Sequence, residues 1–150
     1  MIIGAGSGFQ KLKKMKNIPS NIKMLPLQPF KKMSDILNSA DVLLGILSKD
    51  ASKFSVPSKI LNYLCAGKPI ILSAPKDNLA ATIISESKSG KTFEPQDLKG
   101  INNFLKILMT DSAIRKKYSL NARNYAESNF KIEKISLKFE NIINNLNINK

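Results

Sequence analysis

At 150 residues the chain has the size of one typical domain, and its 43% hydrophobic and 23% charged content is ordinary for a globular protein with a core. It has no histidine and one cysteine, Cys65, which excludes an internal disulfide framework, Ser-His-Asp chemistry and a tetrahedral metal cage. The formal charge of +13 is almost all lysine spread along the chain. With only Arg115 and Arg123, and no tryptophan, it fits an anionic small substrate or anionic membrane leaflet better than nucleic acid.

No apolar run approaches the roughly 20 residues that cross a bilayer, and the first residues lack the charged start and apolar middle of a signal peptide. A single thiol fits a reducing cytosol, so a cytoplasmic location is expected.

In chain order, Met1-Ile-Ile-Gly reads as the tail of a strand entering a glycine turn over 4–8, which contains Gly4 and Gly6. A lone GxGxG also fits a flexible strand-to-helix turn, and no acidic residue follows about 20 positions on to complete a dinucleotide fingerprint. A short basic helix is predicted over 9–16, a turn over 17–21 and a strand over 21–25, closed by Pro26 and Pro29. Phe30, Met33, Leu37 and Ala40 recur at helical spacing and predict a helix over 31–39. Asp41 leads into a buried strand over 42–47, and 48–55 is a polar loop.

The stretch 55–74, SVPSKILNYLCAGKPIILSA, packs a loop, a helix, a tight turn and a strand into twenty residues. Pro57 suits a helix start, Gly67 suits a left-handed residue after the last turn, and 69–73 is an apolar strand entered by Pro69. Ile60, Leu61, Leu64 and Cys65 form the stripe predicted to face a sheet. Ser55, Lys59 and Asn62 fall on another face with Ser58 beside them. A helix N-terminus with free N–H groups, hydroxyls and a lysine suits a diphosphate. The same pattern fits a capped surface helix with a solvated lysine.

Beyond it, Asp77 or Asn78 caps a helix through Ile84, and Gly90 ends the following segment. Residues 91–93 form an edge strand, Asp97 caps a helix to about Met109, Asp111 caps another to about Ser128, and 131–146 is the last helix. This β-α-β-α alternation predicts an α/β fold, a doubly wound Rossmann-like parallel sheet flanked by helices, with a helical C-terminal tail. Residues 1–110 form the Rossmann-like body and 111–150 the helices that pack on it, one domain overall. Ligands of such sheets bind beyond the carboxyl ends of the strands.

Ile2-Ile-Gly-Ala-Gly, Asn21-Ile-Lys-Met-Leu-Pro, Ser39-Ala-Asp-Val-Leu-Leu and Cys65-Ala-Gly-Lys-Pro-Ile-Ile occur in this order, followed by Gly90 with Phe93-Glu-Pro-Gln-Asp and the two helices holding Arg115-Lys-Lys-Tyr-Ser and Ala122-Arg-Asn-Tyr-Ala. Together they resemble the C-terminal, donor-binding half of family 4 glycosyltransferases of the GT-B fold. The resemblance covers essentially the whole chain. Its most specific string is Val56-Pro-Ser-Lys-Ile-Leu-Asn-Tyr-Leu-Cys-Ala-Gly-Lys-Pro, which looks like a bacterial surface-polysaccharide branch.

The resemblance implies transfer of a hexosyl-type sugar from a nucleoside-diphosphate-sugar to a glycan or lipid-linked acceptor, with no cofactor and no metal held by the protein. The net charge, separately, leads to an expectation of peripheral attraction to the inner face of the cytoplasmic membrane. By position, Ser58 and Lys59 would meet the diphosphate, Asn62 the ribose, and the backbone around Leu25, Pro26, Leu27 and Gln28 would flank the nucleobase. The family's pair of glutamates eight residues apart falls on Phe54 and Asn62. Asn62 is a weaker acceptor than a carboxylate, and Phe54 cannot replace one. The catalytic residues are therefore not identified, and the isolated chain is expected to be inactive.

The family's acceptor domain and the first β-α unit of its donor domain have no counterpart here. The chain is thus expected to be a fragment, with the absent strand in the middle of the sheet and a missing domain or partner chain supplying the acceptor site. Two alternatives stay open: an inactive nucleotide-sugar-binding module, or a fragment of a GT-B-type sugar-nucleotide epimerase.

Overall fold

The computed structural model describes residues 1–50, 53 and 55–147, and these divide into two compact units, Met1–Ile36 and Leu37–Lys150. Phe54 lies outside the described residues.

In the first unit, β1 (Ile2–Ile3) pairs in parallel with β2 (Met24–Leu25), Ile2 opposite Met24 and Ile3 opposite Leu25. Between them runs α1 (Gly6–Lys13). The predicted helix over 9–16 is thus displaced. Gly6, at φ +87°, starts the helix from inside the glycine turn, in a conformation that side chains strain to adopt. Strand β2 is shorter than the predicted 21–25. A 3-10 turn, Phe30–Lys32, leads into α2 (Met33–Asn38) where one helix over 31–39 was expected. No residue from 1 to 36 is fully buried, so this unit has no dry core of its own.

The second unit is built on a parallel sheet ordered β3-β4-β5: β3 (Leu43–Ile46), β4 (Ile70–Ser73) and β5 (Gly90–Phe93). The register sets Leu43 against Ile70 and Ile70 against Gly90. The parallel strands thus form two sheets, β1-β2 in the first unit and β3-β4-β5 in the second. All four residues of β4 are buried, as a central parallel strand covered on both faces requires.

One face of this sheet packs on α3 (Ser58–Cys65) and α4 (Leu79–Ser87). Ile60, Leu64 and Ile84 meet Ile70 and Leu72 there at no more than 1% exposure. Behind α3 lies α6 (Ser112–Asn129), whose buried Ala122 and Ala126 let the two helices approach closely. Arg123 binds the α3 carboxyl end through Cys65 O at 2.9 Å, where the helix dipole favours a cation. Gly67, at φ +61°, supplies the predicted left-handed turn after α3.

The other face packs on α5 (Leu98–Thr110), whose Phe104 and Leu108 cover Ile71. That cover reaches Val42 at the entrance to β3 but not the strand itself. Leu44 and Ile46 of β3 remain 48% and 62% exposed, so the strand expected to be buried is covered on one face only.

Two further corrections are local. Cys65, expected on the sheet-facing stripe, is exposed, and only Ile60 and Leu64 of that stripe are fully buried. The eight-residue helix turns Cys65 past the edge of the contact. Helix α4 runs to Ser87 rather than Ile84 and is stopped by Lys88 at φ +48°. A lysine in this conformation carries a steric cost that glycine avoids. Lys88→Gly should therefore raise stability by about 0.5–1 kcal/mol in urea unfolding, with the folded-state circular dichroism unchanged. A loss of stability would show that the Lys88 side chain makes contacts worth more than the strain.

The final helix, α7 (Ile132–Asn147), follows α6. Among the described residues, no helix is long and apolar enough to cross a membrane.

Candidate functional site

A parallel β-α-β chain brings the N-termini of α3, α4 and α5 to the carboxyl ends of β3, β4 and β5. They are not equivalent. Asn78, fully buried, accepts the Ala80 N–H at 2.9 Å, and Asp97 accepts the Gly100 N–H at 2.8 Å. The α4 and α5 ends are thus closed by side-chain caps, as is α6, where Asp111 accepts the Ile114 N–H at 2.9 Å. Leu79 also donates to the carbonyl of Lys53, so the loop after β3 closes the α4 end further.

The α3 end differs. Its N-cap is Pro57, extended at φ −62° and ψ 131°, which offers no side-chain acceptor. The Ile60 N–H is used within the first turn, on Pro57 O at 2.9 Å. Among the described residues no side chain caps the N–H groups of Ser58 and Lys59, and this is where the positive end of the helix dipole lies. Ser58, Lys59 and Asn62 are all exposed. Ser55 precedes the helix and is exposed in the loop, so it does not share their helical face. One turn on, Tyr63 reaches Leu44 O at a long 3.4 Å, and burial raises the pKa of its hydroxyl.

The first unit repeats the motif. Helix α1 opens at Ala5, extended and without a side-chain cap. Beside it a half-open cleft of about 390 Å³ is lined by Gly4, Ala5, Phe9, Gln10, Lys13, Met24, Pro26 and Leu27. Gly4 donates to Leu25 O at 3.2 Å, and a Cβ at position 4 would sit 3.4 Å from the Phe9 ring. Of the residues expected to flank a base, Pro26 and Leu27 line this cleft, together with Gly4 of the glycine turn. Leu25, Gln28 and Gly6 do not. The Gln28 side chain instead turns back to Pro26 O at 2.9 Å.

Sequence reasoning missed Phe9, Gln10 and Lys13 as lining residues. Their i, i+1, i+4 spacing on one helical face was the available signal. A second cleft, of about 250 Å³, lies between the end of α4 and α6, around Lys88, Asn121 and Tyr125. Burial, and next the nearby Glu86, raise the pKa of Tyr125. Neither cleft includes the exposed Ser58, Lys59 or Asn62. Among the described residues, no cluster of three or more His, Cys, Asp or Glu could hold a metal ion.

No protein-family model matches the chain, and no curated protein does. Solved structures do share its fold. One is WaaG, a glycosyltransferase involved in lipopolysaccharide biosynthesis, at a TM-score of 0.65 and 22% identity over 83% of this chain and 32% of that one. Another is the spinosyn forosaminyltransferase SpnP, at a TM-score of 0.61 and 15% identity over 87% of this chain and 33% of that one. At these identities the likeness is one of fold. The chain therefore has a Rossmann-like fold found in glycosyltransferases, consistent with a GT-B C-terminal domain, and spans about a third of the length of each.

Proposed function

We propose that this chain is the donor-binding part of a glycosyltransferase that takes its sugar from a nucleoside-diphosphate-sugar. The observation that carries the reading is the open α3 end. Two N–H groups without a side-chain cap among the described residues, an exposed hydroxyl and an exposed lysine stand where the neighbouring helices spend a side chain on closing theirs. A diphosphate satisfies such an end: its oxygens accept from the N–H groups and its charge meets the dipole and Lys59. In a transfer reaction the same groups would stabilise the nucleoside diphosphate as it leaves.

In the first unit, the cleft beside Gly4, Pro26 and Leu27 is assigned to the nucleobase. Its floor of glycine backbone, proline and the Phe9 edge suits a flat ring. Each assignment concerns one unit and is tested separately.

The acceptor, a glycan or lipid-linked saccharide, is assigned to structure outside this chain. A cytoplasmic location with peripheral attraction to an anionic leaflet completes the reading, since a +13 chain is drawn to such a surface. The amide at Asn62 favours a second reading, a module that holds the nucleotide-sugar without transferring it, because an amide is a weaker acceptor of ribose hydroxyls than a carboxylate.

Calorimetric titration with UDP, GDP and their sugars tests the assignment, and absence of binding below millimolar concentration would remove it. Lys59→Ala should weaken nucleoside-diphosphate binding about tenfold and nucleoside binding less than about twofold. Equal losses would take Lys59 out of the phosphate site.

A further inference from the structure

We propose that the cleft between the end of α4 and α6 is a second ligand site, which takes one ring of a neutral saccharide. It lies at the amino ends of the strands. Ser87 and Lys88 precede the start of β5 at Gly90, and Asn121 of α6 donates from Nδ2 to Lys88 O at 2.9 Å. The start of α3 stands at the carboxyl ends of the same sheet, so the two places serve different ligands. The inference goes beyond the donor reading and does not rest on it.

The walls of the cleft select the ligand. Glu86 and Lys88 bring one charge of each sign, so the cleft is formally neutral on a chain that carries +13. An anion finds no excess of positive charge there. A polyhydroxylated ring, whose hydroxyls both donate and accept, meets groups of the same kind: the amides of Asn121 and Asn124 and the hydroxyls of Tyr125 and Ser128. Among the described residues, the Asn124 amide and the Tyr125 and Ser128 hydroxyls have no hydrogen-bond partner.

The aromatic wall is held in place. Tyr125 is half-buried, its ring stands edge-on to Phe130 at 6.0 Å between centroids, and its carbonyl accepts from Asn129 Nδ2 at 2.9 Å. A fixed tyrosine offers apolar surface to the C–H face of a sugar and a hydroxyl to its rim, at little entropic cost. Lys88 keeps its strained left-handed backbone at this cleft, held by the bond from Asn121. At about 250 Å³ the cleft is smaller than the roughly 300–1,000 Å³ of sites for drug-sized ligands, and it is open. One sugar ring fits, with the rest of a glycan outside.

The test is heteronuclear NMR of the full chain titrated with the methyl glycosides of glucose, galactose, mannose and N-acetylglucosamine. At least one should shift the side-chain amides of Asn121 and Asn124 at millimolar concentration. Asn124→Ala with Tyr125→Phe should weaken that sugar about tenfold, since two hydrogen bonds are lost while the ring stays. The backbone amide spectrum verifies that the variant folds. Asn102→Ala removes an exposed amide from α5, on the other face of the sheet, and should bind as the wild type does.

No shift with any of the four glycosides would overturn the proposal, as would equal binding by the double variant and the wild type. Inorganic phosphate moving the same amides where the glycosides do not would make this an anion site and overturn it too. UDP titrated in parallel should leave Asn121 and Asn124 unmoved. A chain that binds a glycoside here but no UDP anywhere would uphold this site and remove the donor assignment.

Discussion

Gly90→Ala is expected to prevent stable folding of the second unit, with a loss of about 3 kcal/mol or more in urea unfolding. Gly90 opens β5 directly opposite Ile70 of the central strand. A Cβ built there would stand 1.7 Å from the Ile70 carbonyl oxygen, 2.6 Å from its carbon and 2.9 Å from its nitrogen. These are backbone atoms, so no side chain can rotate away to make room. Ile70 cannot retreat either, because its other edge is held by β3 and its own N–H donates to Ser89 O at 3.0 Å. The strands must therefore separate, and the ladder that buries Ile70 and Leu72 is disrupted. A loss below about 1 kcal/mol would mean that β5 can shift register at little cost, contrary to this close approach.

Phe104→Ala should cost about 3–5 kcal/mol and release α5 from the sheet. The Phe104 ring is 4% exposed. It lies tilted on Phe93 at 5.8 Å between centroids and edge-on to Tyr118 at 5.7 Å, with Lys91 Nζ 5.1 Å from its centre. Among the described residues, only Ile71 and Leu108 join it as buried members of that layer, so few neighbours can close the resulting cavity. The other face of the sheet, with Ile60, Leu64 and Ile84, is separate and should survive. The expected signature is loss of near-ultraviolet aromatic dichroism with most helical signal retained. Retention of the aromatic signal at wild-type stability would show that α5 docks without this ring.

The features that were legible in the sequence depend on neighbours within a few residues. Asp97 and Asp111 cap the helices they were expected to cap, and Asn78 is the cap where Asp77 was the alternative. An acceptor there needs only an N–H two or three residues on. Gly67 takes its left-handed conformation because the chain must leave α3 sharply toward Pro69 and β4. The all-apolar run into Ser73 is the central strand, since only a strand covered on both faces dispenses with a polar side.

Where expectations missed, a distant contact decided. Apolar content in β3 suggested full burial, yet Leu44 and Ile46 are exposed because the α5 layer reaches no further than Val42 on that side. Cys65 reads as part of an apolar stripe, but α3 is only eight residues long and turns it outward. The helix expected to end at Ile84 continues to Ser87 and ends on Lys88 in the left-handed conformation, while Gly90 lies at the close approach to Ile70. The lining of the first-unit cleft by Phe9, Gln10 and Lys13 follows from where α1 starts, and Gly6 moved that start three residues ahead of the expected one.

By itself, then, the sequence determined the parallel α/β alternation, the caps, the central strand and the chemistry available at the start of α3. All of these are set by periodicities and backbone preferences that act within one or two turns of chain. Tertiary structure alone decided that the strands form two sheets and which apolar faces stay uncovered. Those outcomes depend on which surfaces separated parts of the chain can reach and cover, and no local pattern encodes that.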